Sequence, residues 1–380
     1  VRSKLKSFLQ RYRFIFYMMV FYFIKKFSPV NQNKVLLFSD SRKTLSGNFL
    51  FISRELKKYP FDVHAVLKAG LKNWRPLKDW IRLPYELATS KYIIVDDFCP
   101  VIYPLNFSRE QKVIQAWHAI GAFKTMGFSR AGKVGGPIEH SITHRNYTDA
   151  IVSSPAIIKN YAEAFRMDEK KIHVIGAPRT DVFFDQRHID LIRTRFFEKH
   201  PDFIGKKIIL FCPTFRGKGQ KDACYDFSPL DLDLLESRFS SDYKMIIKLH
   251  PFVKERPARF ARSRFFVDLS NHREINDLLF VTDLLITDYS SVIFEYALLR
   301  KPIIYFVPDL DSYRKTRDFY YPFEKYVYGT VAVHSDQLAE AIPKATVDEQ
   351  KLRSFIDFFC SACDGHQSDK FVRELIINNR

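Results

Sequence analysis

Two short apolar runs in this chain end in a histidine: Gln115-Ala116-Trp117-His118 and Ile246-Ile247-Lys248-Leu249-His250. An imidazole so placed exchanges a proton near neutral pH, which makes His118 a candidate general base for a hydroxyl nucleophile. Just after it, Gly121 lets backbone N–H groups approach a phosphate and Lys124 adds a positive charge. Around His250 the two-residue period of a strand puts Lys248 on the same face, presenting a cation and a proton donor to a diphosphate leaving group. Each run also has a plainer explanation, a histidine that caps a strand and a lysine that serves as surface charge.

Two further runs carry similar chemistry. Phe211-Cys212-Pro213-Thr214-Phe215-Arg216-Gly217 closes an apolar stretch with the Thr214 hydroxyl and the Arg216 guanidinium, whose fork suits phosphate. In Leu284-Leu285-Ile286-Thr287-Asp288-Tyr289-Ser290-Ser291 an apolar strand runs through Thr287 and Asp288 into a helix. Ser290 reads as its N-cap, and with Ser291 and the free N–H groups of the first turn it forms an anion site. Glu295 follows Ser291 by one helical turn on the same face, placed to accept hydrogen bonds from a ribose. An ordinary capped helix explains Ser290 but not the whole run from 288 to 291.

The elements that position these residues alternate short β-branched strands with helices, the pattern of parallel sheets covered by helices. Strands are expected over 35–38, 63–67, 92–95, 113–117, 150–152 and 172–175, and again over 208–212, 245–249, 265–267, 284–287, 303–306 and 330–333. The residues just beyond such strands line ligand sites in open parallel sheets. A charged helix over 189–200 leads to a linker at Pro201 and Gly205. The expected division is a membrane-associating helical segment over 1–30, an acceptor-side domain over 31–200, a nucleotide-binding domain over 201–346, and helices over 347–380 that pack back across the junction.

Composition narrows the function. The 380 residues are 46% apolar, enough for two cored domains, and 60 Lys and Arg against 43 Asp and Glu leave a formal charge of +17. That favours an anionic partner: nucleic acid, acidic lipid or a phosphate-rich substrate. Five scattered cysteines argue against a disulfide framework, and the Cys360–Cys363 pair lacks the companions that a zinc or redox motif needs. The apolar run over 14–24 is too short to cross a bilayer; Arg11 and Arg13 precede it, and Lys25 and Lys26 follow it. It reads either as a helix lying in the headgroups of an acidic leaflet or as a helix packed on its own domain.

Trp117-His118, Gly176-Ala177-Pro178-Arg179-Thr180-Asp181, Pro213-Thr214-Phe215-Arg216, Lys248-Leu249-His250-Pro251, Ile286-Thr287-Asp288-Tyr289-Ser290-Ser291 and Lys301-Pro302-Ile303 stand in one order along the chain, before a terminal Cys363-Asp364-Gly365 turn. In this order they resemble the motifs of the CDP-glycerol glycerophosphotransferase family of teichoic acid synthesis, from about Gln115 to the C-terminus. The spacing from His118 to Lys124 is one residue longer than in the long-chain polymerases and looks like that of the shorter, primase-type members. Glu295 stands where the family commonly has Asp.

The resemblance implies an α/β fold of GT-B type, two Rossmann-like domains with parallel sheets facing a cleft, to which the residue reading adds an N-terminal apolar helix. By the same resemblance His118 is the base on the acceptor hydroxyl and His250 helps to bind the donor diphosphate. Arg179, Thr214, Arg216, Ser290, Ser291 and Glu295 match positions that line the CDP-alcohol site, to which the residue reading adds Gly121, Lys124, Lys248, Thr287 and Asp288. The implied reaction moves glycerol phosphate from CDP-glycerol to an undecaprenyl-diphosphate-linked wall teichoic acid precursor and releases CMP, on the cytoplasmic face of an acidic membrane. No cofactor, metal or nucleic acid is expected. CDP-ribitol or another activated polyol is the alternative donor, a sugar transferase of the same fold a further one. A non-catalytic polyanion binder, the reading from another class, leaves both histidines unexplained.

Overall fold

In a computed structural model the chain is described at residues 2–70, 75–133, 135–217 and 221–378, with side chains from residue 12 onward except at Thr316. The strands, in chain order, are β1 Asn31–Ser39, β2 Asp62–Leu67, β3 Ser90–Val95, β4 Lys112–Gln115, β5 Asp149–Val152, β6 Ile172–Val174, β7 Lys207–Phe211, β8 Tyr243–Ile247, β9 Phe266–Asp268, β10 Leu284–Thr287, β11 Ile303–Phe306 and β12 Thr330–Ala332. They form two six-stranded sheets, ordered β2-β1-β3-β4-β5-β6 and β12-β11-β10-β7-β8-β9. Each pairing within them is parallel. The fold class is therefore α/β with two parallel sheets, as the alternation of elements implied.

The chain divides into two compact units: Val1–Ala119, Met126–Asp181 and Ala362–Arg380 form one, and Ile120–Thr125 with Val182–Ser361 the other. In the first, Val35, Leu37, Tyr92 and Ile94 pack with Phe49, Ile52 and Leu56 and with Phe371, Val372, Leu375 and Ile376 near the C-terminus. Strands covered on both faces are apolar where they are buried, which is why β3 is an unbroken hydrophobic run from Tyr92 to Val95. In the second unit, Ile209, Phe211, Met245, Ile247 and Ile286 pack against Leu235 and Phe239 of one helix and Leu338 and Ala339 of another. Each fully buried Leu, Ile, Phe or Met side chain among these contributes about 1.5–3 kcal/mol.

Helix Gln186–Lys199, assigned from the sequence to the first domain, packs in the second unit against helix Ile275–Val281. Phe183 meets Phe280 edge-on at 5.1 Å and Arg193 donates to the Phe280 carbonyl at 2.8 Å. The change of unit thus comes at Val182, ahead of the Pro201–Phe203 turn where the linker was expected.

Helix Arg2–Phe27 packs on its own unit through one face, the second of the two readings of the N-terminal segment. Its buried face, Tyr17 and Phe21, rests on Trp80 and Phe107, and Tyr17 donates to the Val101 carbonyl at 3.3 Å. On the opposite face Tyr12, Phe16, Met19, Phe23 and Phe27 are exposed at helical spacing. Arg13, Lys25 and Lys26 flank them; the side chain of Arg11 lies outside the described residues. Among the described residues no helix is long and apolar enough to cross a membrane.

The Gly176–Asp181 turn has a structural task. Asp181 Oδ1 and Oδ2 accept the Gln367 and Ser368 amides at 2.8 and 3.0 Å, satisfying donors at the start of helix Gln367–Val372. That helix carries Phe371 and Val372 into the core of the first unit. Replacing Asp181 by Ala leaves two amides unpaired and is expected to cost about 1–3 kcal/mol, read as a lower midpoint in chemical denaturation.

Candidate functional site

In the second sheet the strand order reverses between β7 and β10, so the loops after β7, β8 and β10 converge at the switch point where open α/β sheets bind ligands. A pocket of about 310 Å³ opens there, lined by Lys124, Thr214, Lys248, His250, Ser290 and Ser291 with the Phe215 ring. These residues come from four separate stretches of sequence, and all lie in one unit.

Lys124 reaches the pocket because its segment is pinned to the 318–326 loop. Tyr320 N donates to Phe123 O at 3.0 Å, Thr125 N to Asp318 O at 3.0 Å, and the Tyr326 hydroxyl to Ala122 O at 2.9 Å. Burial lowers the Lys124 pKa to about 8, helped by Arg317 and Arg216 and opposed by Asp288. Lys248, also depressed by burial, donates to the Ser270 carbonyl at 2.8 Å. His250 lies against the rings of Phe215 and Phe252, and its Nδ1 accepts the Phe252 amide at 3.2 Å. In the neutral ring the proton therefore sits on Nε2, a hydrogen-bond donor. Burial first, then Lys124 and Lys248, hold this imidazole below the usual histidine range. The Thr214 Oγ1 is buried with no hydrogen-bond partner among the described residues.

Six expected ligand residues do not line this pocket: Arg216, Asp288, Thr287, Glu295, Gly121 and Arg179, the last of which belongs to the first unit. The Arg216 fork is taken by Asp309, Nε to Oδ2 at 2.6 Å and Nη2 to Oδ1 at 2.9 Å, and it also donates to Asp288 at 3.0 Å. Asp288, 1% exposed, accepts the Thr214 amide at 2.7 Å and the Tyr289 amide at 2.6 Å. Thr287 spends its hydroxyl on the Cys212 carbonyl at 2.5 Å, and Glu295 is buried within its helix. Gly121 is likewise absent from the lining: its φ is +70°, and a Cβ there would come within 2.5 Å of the Phe294 ring, so packing demands the glycine.

Local geometry corrects two more expectations. Strands β4 and β8 stop at Gln115 and Ile247, so His118 and His250 stand on the following loops rather than in the strands. Ser291, not Ser290, takes the N-cap position of helix Val292–Leu298, and Ser290 Oγ meets the Val292 amide only at 3.4 Å. That helix has seven residues, so the positive charge of the pocket comes mainly from Lys124 and Lys248.

The other group of residues lies in the first unit. Trp117, at φ +47°, turns the chain out of β4 in a left-handed conformation that costs an aromatic residue about 1–3 kcal/mol. Asn48 holds this turn: its Nδ2 donates to the carbonyls of Ala116 and Trp117 at 3.0 and 2.7 Å, and its Oδ1 accepts the Arg179 amide at 3.0 Å. The His118 side chain is 43% exposed, with Nδ1 turned 3.7 Å from Asp97 Oδ1. Its pKa is lowered by burial, against the pull of Asp97 and with the push of Arg179, so the ring is neutral at pH 7 and able to take up a proton. Asp97 and Asp309 were missed in the sequence although each follows an apolar strand closely; nothing local marks Asn48. Among the described residues no group of three or more His, Cys, Asp or Glu is arranged to hold a metal ion.

Two doubly wound parallel α/β units, one with a cationic pocket at its switch point, define the structural class. The pattern of the CDP-glycerol:poly(glycerophosphate) glycerophosphotransferase family matches residues 20–377. The chain is 44% identical over 359 residues to the teichoic acid poly(ribitol-phosphate) polymerase of Bacillus spizizenii, covering 94% of this chain and 58% of that protein. It is 36% identical to the teichoic acid ribitol-phosphate primase of the same organism, covering 90% of each, and 28% identical to its teichoic acid poly(glycerol phosphate) polymerase, covering 92% and 93%. The solved wall teichoic acid polymerase TagF superposes with a TM-score of 0.78 at 24% identity, over 99% of this chain and 96% of that one, a likeness of fold. This chain belongs to the CDP-glycerol:poly(glycerophosphate) glycerophosphotransferase family.

The pocket charge predicts a pH dependence. Lys124 is protonated below its pKa of about 8 and neutral above it, so affinity for an anion bound in this pocket should weaken as pH rises through that value. The expected loss is about 1.5–3 kcal/mol, one charge-assisted hydrogen bond. Calorimetric titration of CDP across pH 6.5–9.5, about the Lys124 value, checks this, and Lys124→Met should flatten the profile.

Proposed function

We propose that this chain transfers a polyol phosphate from a cytidine-diphosphate donor to a hydroxyl of a teichoic acid acceptor, with ribitol phosphate the favoured group. The observation that carries the reading is the switch-point pocket, where two lysines, a neutral histidine with Nε2–H, and an unpartnered threonine hydroxyl converge as a diphosphate would require. The preference for ribitol over the glycerol inferred from motifs rests on the relatives named for it, at 44% and 36% identity against 28% for a glycerol-phosphate polymerase.

In this reading His118 removes the proton of the acceptor hydroxyl. The oxygen attacks the β-phosphorus in line, an O–P bond forms, the bond from that phosphorus to the bridging oxygen breaks, and CMP departs. Lys124, Lys248 and His250 offset the charge that grows on the leaving phosphate; such chemistry depends on positioning and electrostatics. The acceptor is read as lipid-linked, and the exposed stripe Tyr12, Phe16, Met19, Phe23 and Phe27 as the surface that rests on an acidic leaflet, each nearby Lys or Arg adding about 1 kcal/mol.

Purified protein given CDP-ribitol or CDP-glycerol with a lipid-linked acceptor should release CMP faster from CDP-ribitol; a reversed order returns the assignment to glycerol, and no CMP from either donor ends the transferase reading. His118→Ala should lower turnover by about 10²–10⁴-fold with the fold intact. Replacing Phe16, Met19 and Phe23 together by Ser should abolish co-sedimentation with vesicles of acidic lipid, and undiminished sedimentation would remove the membrane surface from this account.

A further inference from the structure

Among the described residues, Asp97 has one ionic partner, His118. It is also the better anchored of the two: its Oδ2 accepts the Ser41 hydroxyl at 2.6 Å and its Oδ1 the Phe98 amide at 2.7 Å. The neighbouring carboxylate, Asp96, is paired with Arg42. Asp97 and His118 follow adjacent parallel strands, β3 and β4, in which Val95 stands opposite Gln115. Gln115 ties the two loops together, donating to the Asp97 carbonyl at 3.1 Å and accepting the Trp117 amide at 2.9 Å. With Asn48 on the Ala116 and Trp117 carbonyls, the turn that carries His118 is held from both sides.

The imidazole shows what this scaffold lacks. Its Nδ1 is buried and finds no hydrogen-bond partner among the described residues, while Asp97 Oδ1 lies 3.7 Å away. An unpaired buried ring nitrogen costs about 1–3 kcal/mol, so a contraction of less than an ångström to hydrogen-bond length is strongly favoured. Catalytic hydrogen bonds that are long in a free enzyme commonly tighten when substrate binds.

We propose that Asp97 is the positioning residue for His118: its carboxylate orients the imidazole and keeps the proton on Nδ1, so that Nε2 presents its lone pair to the acceptor hydroxyl. The inference deepens the proposed function and rests on His118 being the base. As the O–P bond forms, the hydroxyl proton moves to Nε2. The resulting imidazolium, with N–H on both nitrogens, is stabilised by the Asp97 carboxylate, and the proton then passes to solvent. Asp97 and Asp96 favour the cation, while Arg179 and Arg42 oppose it; with Asp96 neutralised by Arg42, Asp97 remains to balance Arg179.

Asp97→Asn tests the role, with Asp97→Ser as second variant should Asn disturb the fold. The expected result is a fall in kcat of about 10²-fold or more with donor KM within about twofold of the parent. The acidic limb of kcat should move to lower pH, and NMR titration of the His118 ring in the resting protein should show the same downward displacement. A ring that titrates as in the parent, with the pH limb unmoved, overturns the positioning role whatever happens to kcat. The two readings separate through His118→Ala. If that variant releases CMP at the parental rate, the base assignment fails and the role of Asp97 with it. If it is inactive while Asp97→Asn keeps the parental titration and pH profile, the base stands and the positioning role alone fails.

Discussion

The pocket of the second unit depends on Arg216. Its guanidinium is gripped by the Asp309 fork and by Asp288, and Asp288 in turn holds the amides of Thr214 and Tyr289. One network of charge-assisted hydrogen bonds therefore sets the spacing of the loops after β7, β10 and β11. Such a network is costly to assemble out of water and costlier to break by removing one member, about 3–5 kcal/mol for a buried pair. Because Arg216 is neutralised by its own partners, the positive charge that the pocket presents belongs to Lys124 and Lys248.

Those two lysines carry charge against a desolvation penalty, visible in their depressed proton affinities. The Thr214 hydroxyl and the His118 Nδ1 are buried without partners among the described residues, and Trp117 is held in a left-handed conformation. Each feature costs stability, and each lies beside a residue to which chemistry is assigned. Packing elsewhere carries the cost: the apolar strands of both sheets and the C-terminal helix that Asp181 fastens into the first core.

The motifs that marked the site served two ends. Lys124, Thr214, Lys248, His250, Ser290 and Ser291 face the pocket, whereas Arg216, Thr287, Asp288, Glu295 and Gly121 build the structure around it. Sequence could not separate them, because an arginine that would suit a phosphate suits a pair of carboxylates equally well, and Asp309 lies far along the chain. Asp97 and Asp309 were legible by the same rule that found Thr214, the polar residue after an apolar strand. Asn48 was not, since its three hydrogen bonds go to backbone groups distant in sequence.

Sequence by itself determined the alternation of strand and helix and the candidate loops, because periodicity, β-branching and turn residues act over a few neighbours. It also carried the ordered motifs that mark the family. Strand order, the switch point that gathers three of those loops, the pinning of Lys124 into the second unit, and the split between pocket-facing and structural residues were decided by tertiary structure alone. The physical reason is that proton affinity and ligand access depend on which groups are buried together, and burial is a property of contacts that local sequence does not encode.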